Sequence, residues 1–493
     1  MPKSGLERKL TFFDVTNLVV GAIIGADIYV ASSFGAKNLG PFSLVVWVIA
    51  GIIAIIIALC FAQCAALVPK VGGPYAYAKE AGGPLAGFVV GWSLWFAELI
   101  SLAVFPVAFT QYLMFFFPSL DPTLQVLTKV LFVVFLAATN VIGVKAAGRV
   151  NDLLTLAKLA PLVFFTIICI AWIGLNPASA AANFAPPMAP NGFATFGPTL
   201  VLIFWAYAGF EISSIPAGEI NDPGKTIPKS IVLGISIVTV FYLTTNTLLF
   251  GVRNWHLLAT DIAPLATATN STLASNALLA LIGGTIVGVG ALISVTGSNE
   301  SGMIGTSRLS YALAADGLFP KAFARVHPKF KTPYMAVIIQ SIIAVVASII
   351  GSLSLLISVS VFFLAIAYLA TSGSVLTIRK RGKSPQFRMR GGTIIPILGV
   401  VFSVYLISQC SLVQLALGVL LLVIGLPVYV FYSPKKEIAE LKGALMDRET
   451  LFKRIYVQER TFLAHALLHL RQWLEKARRK ISGETSSEPS HQP

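Results

Sequence analysis

Long runs of apolar residues, each ended by a short cluster of charged, glycine or proline positions, dominate this chain. A helix needs about 17 to 25 such residues to cross the hydrocarbon core of a bilayer. Twelve stretches of that kind lie near 12–36, 42–66, 84–117, 126–144, 152–174, 196–218, 229–251, 277–303, 333–351, 354–378, 393–411 and 413–432. The pattern predicts an all-α integral membrane protein with twelve transmembrane helices. A basic start (Lys3, Arg8, Lys9) runs into the first span without a small-residue cleavage site, so that span is expected to stay.

Two spans are interrupted in corresponding places. The first carries Gly21 and Gly25, and the sixth reads Ile-Phe-Trp-Ala-Tyr-Ala-Gly-Phe-Glu from Ile203 to Glu211, followed by Ser213, Ser214, Pro216 and Gly218. Glycine and proline weaken a helix, and backbone unwound at membrane depth is tolerated only where protein or a cavity surrounds it. Interrupted spans at positions one and six divide the first ten into two sets of five, the sequence pointer to a 5+5 inverted repeat with a binding site near the midplane. On this reading residues 12–174 and 196–378 are the two repeats, 393–432 holds two further helices, 1–11 is a short N-terminus and 433–493 a tail. Two kinked packing helices are the plainer alternative.

Composition agrees with the pattern. Of 493 residues 56% are hydrophobic and only 12% charged, and the mean hydropathy is +0.82, outside the range of a soluble globular chain. A net charge of +15 could suggest a nucleic acid partner, but the basic residues gather in alternate loops: Lys70, Lys79, Lys145, Arg149, Lys225, Arg308, Lys329 and Arg379 through Arg390 on one side, little beyond Lys37, Lys129 and Arg253 on the other. That bias orients the protein with both termini in the cytoplasm, predicts a cell-membrane location and needs no nucleic acid. The four cysteines (Cys60, Cys64, Cys169, Cys410) fall inside spans and the five histidines outside them. No spacing resembles a zinc or haem site, so neither metal nor cofactor is expected. In the tail, Leu463, Leu467, Leu470, Trp473 and Leu474 recur at helical spacing against Arg471, Lys476 and Arg478. Such a helix suits anionic lipid or a cytoplasmic partner, and equally a solvated surface helix.

Ionisable groups inside the spans are the candidate chemistry, because each costs free energy unless compensated. Asp27 follows the glycine break of the first span. Glu98 lies mid-way along the third, Lys158 deep in the fifth and Glu211 in the sixth. Three carboxylates around one cavity would suit a polycation.

At this point four motifs converge. Gly-Ala-Ile-Ile-Gly-Ala-Asp-Ile-Tyr (Gly21 to Tyr29), Val-Gly-Gly-Pro-Tyr-Ala-Tyr (Val71 to Tyr77), Gly-Glu-Ile-Asn-Asp-Pro-Gly-Lys-Thr-Ile-Pro (Gly218 to Pro228) and the loop from Ser307 to Tyr334 occur in order. Over residues 10 to 432 the chain resembles the amino acid, polyamine and organocation transporters. The resemblance implies alternating access through the five-plus-five fold. It implies that amides around Gly25, Ala26 and position 27 receive a substrate carboxylate, while carbonyls near Ile24 and in the sixth span, around Gly209, accept from an amine. Trp205 resembles a substrate-stacking aromatic, Glu211 an acidic position of diamine exchangers, and Tyr368 a gate. Lys158 resembles the lysine that replaces sodium in proton-coupled members; a lysine at that depth can gain and lose a proton, which implies sodium independence. Ser298 is a further candidate for the same pocket.

Asp27 departs from the family pattern, which has glycine there. A substrate carboxylate about 4 Å away would be repelled by about 4 kcal/mol at an effective dielectric near 20, and an amine attracted by as much. Two substrate classes therefore remain open: amines or polyamines countered by Asp27, and amino acids with Asp27 in a coupling or structural role, with Lys158 as its candidate partner. Proton coupling or exchange is expected of either. Converging His, Cys or metal-ligand groups inside the spans are missing, which argues against an enzyme. A transporter-fold sensor that signals through its tail is the remaining rival.

Overall fold

The computed structural model describes residues 10–432 apart from 71, 144–146, 189–191, 215, 216, 218 and 383–390, and for 147–157 the backbone alone. The predicted tail helix lies outside the described residues. Where it is described, the chain is helical, with one isolated backbone bridge.

The first interrupted span is two helices, α1 (Phe12–Ile23) and α2 (Asp27–Leu39). Thr11 starts α1 by a reciprocal cap: its backbone N–H donates to Asp14 Oδ2 at 2.7 Å and its hydroxyl accepts from the Asp14 N–H. Extended backbone at Ile24 ends it. There follow α3 (Ser43–Leu67), α4 (Pro74–Gly82), α5 (Pro84–Phe116), α6 (Pro122–Ile142), α7 (Ala147–Leu175) and the short α8 (Pro177–Ala182). The second interrupted span starts as α9 (Phe196–Phe204), tightens into a 3₁₀ turn at Trp205–Tyr207, opens at Ala208 and Gly209, and resumes as a second 3₁₀ turn at Phe210–Ser214. The remainder is α10 (Pro223–Val252), α11 (Trp255–Leu258), α12 (Pro264–Thr272), α13 (Ala277–Ala315), α14 (Tyr334–Ile350), α15 (Leu353–Lys380), α16 (Ile394–Ser408) and α17 (Leu412–Tyr432). Proline in the first turn opens several of these, and at α6 it comes with a side-chain cap, Asp121 accepting from the amides of Thr123 and Leu124.

Among the described residues, eight helical stretches are long and apolar enough to cross a membrane, and α1, the segment from Gly192 to Tyr207, α14 and α16 are apolar but shorter. Burial differs among them as an inner bundle and an outer layer require. In α5 and α15 most of the apolar window is buried, whereas α6 and α17 expose most of theirs, with Leu131, Val134, Phe135, Leu420 and Val423 facing outward. The inner bundle packs α10 against α1 and α3, α15 against α5, and α13 against α5 and α7.

Two of the diagnostic loop motifs meet in space. Tyr75 of α4 donates its hydroxyl to Asp316 Oδ2 at 2.6 Å, and Lys79 reaches the same carboxylate at 3.4 Å. Leu10 pairs with the loop after the sixth span: its N–H donates to the Glu219 carbonyl and its carbonyl accepts from Asn221, both at 3.0 Å. Because Asp316 is half exposed, Asp316→Asn should cost only about 1 kcal/mol. A thermal unfolding midpoint within about 2 °C of wild type is the expected result in detergent.

Candidate functional site

Breaking a helix inside a bundle strands its last carbonyls, and buried carbonyls require donors. The break after α1 meets that requirement with side chains from three other helices. The Gly21 carbonyl accepts from Lys158 Nζ of α7 at 3.3 Å. The Ile23 carbonyl accepts from the Tyr242 hydroxyl of α10 at 3.0 Å. The Ile24 and Gly25 carbonyls accept from Ser298 and Ser294 of α13, at 3.1 and 3.5 Å. Gly25 is needed for this approach, since a Cβ there would lie 2.8 Å from Ser298 Oγ.

The second break closes on the first. Gly209 has φ +119°, a region open to glycine alone, and a Cβ on it would stand 2.8 Å from the Ala22 carbonyl oxygen. Its N–H donates to Glu211 Oε2 at 3.0 Å, and Tyr368 of α15 donates to the same oxygen at 3.2 Å. Glu211 Oε1 is buried without a partner among the described residues. Tyr368 is in turn fixed by stacking on Phe210, centroids 5.6 Å apart.

Between the breaks is a cavity of about 70 Å³. Asp27, Glu98, Trp205, Gly209, Glu211 and Ser298 line it, together with Gly21, Ala22, Ile23, Ser101, Phe105 and Ser301. Trp205 is held by its indole N–H, which donates to Ser101 Oγ at 3.2 Å; Ser101 meets Ser360 of α15 at 2.9 Å. Glu98 faces the cavity from α5 with no hydrogen-bond partner among the described residues, and Glu211 shares the cavity wall with it. Among the described residues the lining contains two glutamates and Asp27 but no Lys, Arg or His.

Three expectations need correction. Ile24, Gly25 and Ala26 stand off the cavity wall, because the Ile24 and Gly25 carbonyls are turned onto α13. Lys158 and Tyr368 likewise lie behind the wall. Nor does Lys158 form an ion pair with Asp27: its ammonium is spent on Gly21 and on Ser298 Oγ, 3.0 Å away. Asp27, the first residue of α2, points to α10 instead, where Oδ2 meets the Tyr242 hydroxyl. The amides of Gly25 and of Asp27 itself also face this carboxylate. Sequence reasoning missed Tyr242 altogether. Its signal was there: Tyr242 and Asn246 are a polar i, i+4 pair in an apolar span, and Asn246 donates to the Tyr242 carbonyl and accepts from Ser32 of α2.

Apolar helices, buried helix breaks and ionisable groups around one central cavity define a multi-pass integral membrane protein. Residues 10–435 match the family model described as amino acid permease, and the chain belongs to that family. Its sequence is 29% identical over 455 residues to a branched-chain amino acid permease of Bacillus subtilis, covering 88% of this chain and 94% of that one. It is 28% identical over 452 residues to a serine/threonine exchanger of the same bacterium, covering 88% and 99%, and 28% identical over 403 residues to the mouse cationic amino acid transporter 4, covering 78% and 61%. These relatives are transporters and not enzymes.

Proposed function

We propose that this permease moves amino acids with a positively charged side chain by alternating access. The observation that carries the substrate class is the pair Glu98 and Glu211 on a cavity wall without a basic residue. Two buried carboxylates at one site are costly unless protons or a bound cation compensate them. A substrate cation does so and gains selectivity from it. In this reading the amides at the start of α2 receive the α-carboxylate once the Asp27 side chain turns away from them, the Ile23 carbonyl on the cavity wall receives the α-ammonium, and the side chain reaches the glutamates past Trp205 and Phe105. A cavity of about 70 Å³ has room for about five water-sized groups, so a long side chain requires the site to open. The relatives named above carry branched-chain, hydroxylated or cationic amino acids, which supports an amino acid head group.

The architecture proposed with this function has twelve crossings. The two broken spans and α14 and α16 complete the set, with repeats at 12–174 and 196–378, two further helices at 393–432, and both termini in the cytoplasm at the cell membrane. Lys158, bridging the Gly21 carbonyl and Ser298 as a bound cation would, supports transport without sodium, driven by protons or exchange.

One observation favours a second reading. The Asp27 carboxylate already faces the Gly25 and Asp27 amides, the groups meant for a substrate carboxylate, which suits an amine. Matched ligands separate the two: arginine and agmatine, ornithine and putrescine, with leucine as the neutral control. A ligand at 100 times its Kd stabilises the folded state by about 2.7 kcal/mol. Arginine and ornithine are expected to raise the melting temperature most. Agmatine and putrescine winning would transfer the reading to amines, and leucine winning would remove the cationic class.

A further inference from the structure

Of the donors that serve the break after α1, one is overcommitted. Ser298 accepts from Lys158 and passes its own proton to the Ile24 carbonyl, so each contact has a hydrogen. Lys158 has three protons for two acceptors. Tyr242, buried completely, has one proton and touches two acceptors, the Ile23 carbonyl and Asp27 Oδ2. Asn246 does not reach either group: its amide donates to the Tyr242 backbone carbonyl and its oxygen accepts from Ser32. Among the described residues, the group in place to supply a second hydrogen is the Asp27 carboxyl in its acid form.

We propose that Asp27, Tyr242 and the Ile23 carbonyl form a relay in which a proton on Asp27 and the ammonium group of a substrate compete for one site. With no substrate, the Asp27 acid donates to Tyr242 Oη and Tyr242 donates to the Ile23 carbonyl. Ile23 and Asp27 both line the cavity, so an ammonium arriving there takes the Ile23 carbonyl. The Tyr242 proton then turns to Asp27 Oδ2, and the acid's proton leaves through the cavity to water. One positive charge enters as one leaves, and no bond other than O–H is broken. The charged and titratable groups facing Asp27 are Lys158 from α7, Tyr242 from α10 and Tyr29 on its own helix. Glu98 from α5 and Glu211 share the cavity wall with it, and Glu300 of α13 faces Lys158. Lys158 stands behind Asp27 without contacting it, held by the Gly21 carbonyl and Ser298 Oγ. Tyr242 is a positioning residue in this scheme: it acts on the substrate through the Ile23 carbonyl.

The relay rests on the reading above only in requiring a substrate ammonium, and the test has one arm that does not need a ligand. The infrared spectrum of ligand-free protein at neutral pH should contain a carboxylic acid C=O band that disappears in Asp27→Asn and changes frequency in Tyr242→Phe. A wild-type spectrum that loses no acid band on Asp27→Asn overturns the relay. In the second arm, L-arginine and agmatine are added to purified protein in weak buffer while a pH dye records protons released. Wild type should release about one proton per ligand bound, and both variants none, with Tyr242→Phe still binding. Ligand that binds wild type without proton release also overturns the relay. If neither ligand binds, the cationic reading fails and the infrared arm decides alone. Should Asp27→Asn not fold, the band shift in Tyr242→Phe carries the infrared arm.

Discussion

Gly209→Ala is expected to abolish transport. At φ +119° an alanine costs about 1–3 kcal/mol in backbone strain alone. Its Cβ would also stand 2.8 Å from the Ala22 carbonyl oxygen, and backbone on both sides leaves nothing flexible to give way. The two helix breaks must then separate, which widens the cavity and pulls the Gly209 N–H away from Glu211. Uptake into proteoliposomes should fall to background while some folded protein survives. Gly373→Ala is the control: a Cβ there meets nothing within 4 Å, and in mid-helix it should be neutral or stabilising by up to about 1 kcal/mol. An active Gly209→Ala protein would mean that the breaks do not close on each other during transport.

Neutralising the glutamates should have the next largest effect. Removing one partner of a buried charge pair costs about 2–5 kcal/mol of binding, so Glu98→Gln and Glu211→Gln should each weaken arginine or agmatine by about 30-fold or more. Both ligands present the same guanidinium to the pair, so the expectation holds whichever head group wins. The glutamines remove charge at nearly constant volume, so neutral ligands should keep or gain affinity. Glu211→Gln has a further consequence. Its amide oxygen can take the place of Oε2 and still accept from Gly209 and Tyr368, but the NH2 then sits where Oε1 is buried with no partner among the described residues, so this variant should also lower the melting temperature, whereas Glu98→Gln, with no such partners, should not. Titration calorimetry across the matched ligands reads the first effect and thermal unfolding the second. Equal losses for leucine and arginine would show that the glutamates shape the pocket and do not read charge.

Much of the fold was legible because hydrophobic burial in a bilayer leaves a long-period signal. Runs near 84–117 and 277–303 announced helices that the structure has as Pro84–Phe116 and Ala277–Ala315. Helix breaks were legible for the same reason, since glycine in an apolar span is a local exception: the run holding Gly21 and Gly25 splits at Ile24, and the one holding Gly209 opens at Ala208. Chemistry at membrane depth was legible too, as Asp27, Glu98, Glu211 and Lys158 stand out against apolar neighbours. Pairing among these groups was not. Opposite charge suggested Lys158 for Asp27, yet the nearest demand on each was a backbone group or hydroxyl brought from a remote span.

What the sequence determined by itself is therefore what burial and local geometry fix residue by residue: where the apolar segments lie, where they must unwind, and which ionisable groups are trapped inside. Tertiary structure alone decided the partners. A stranded carbonyl takes whichever donor the packing delivers, and α7, α10 and α13 deliver Lys158, Tyr242, Ser294 and Ser298 to one break from positions more than a hundred residues away. Hydrogen bonds act over about 3 Å, a distance that no spacing along the chain records.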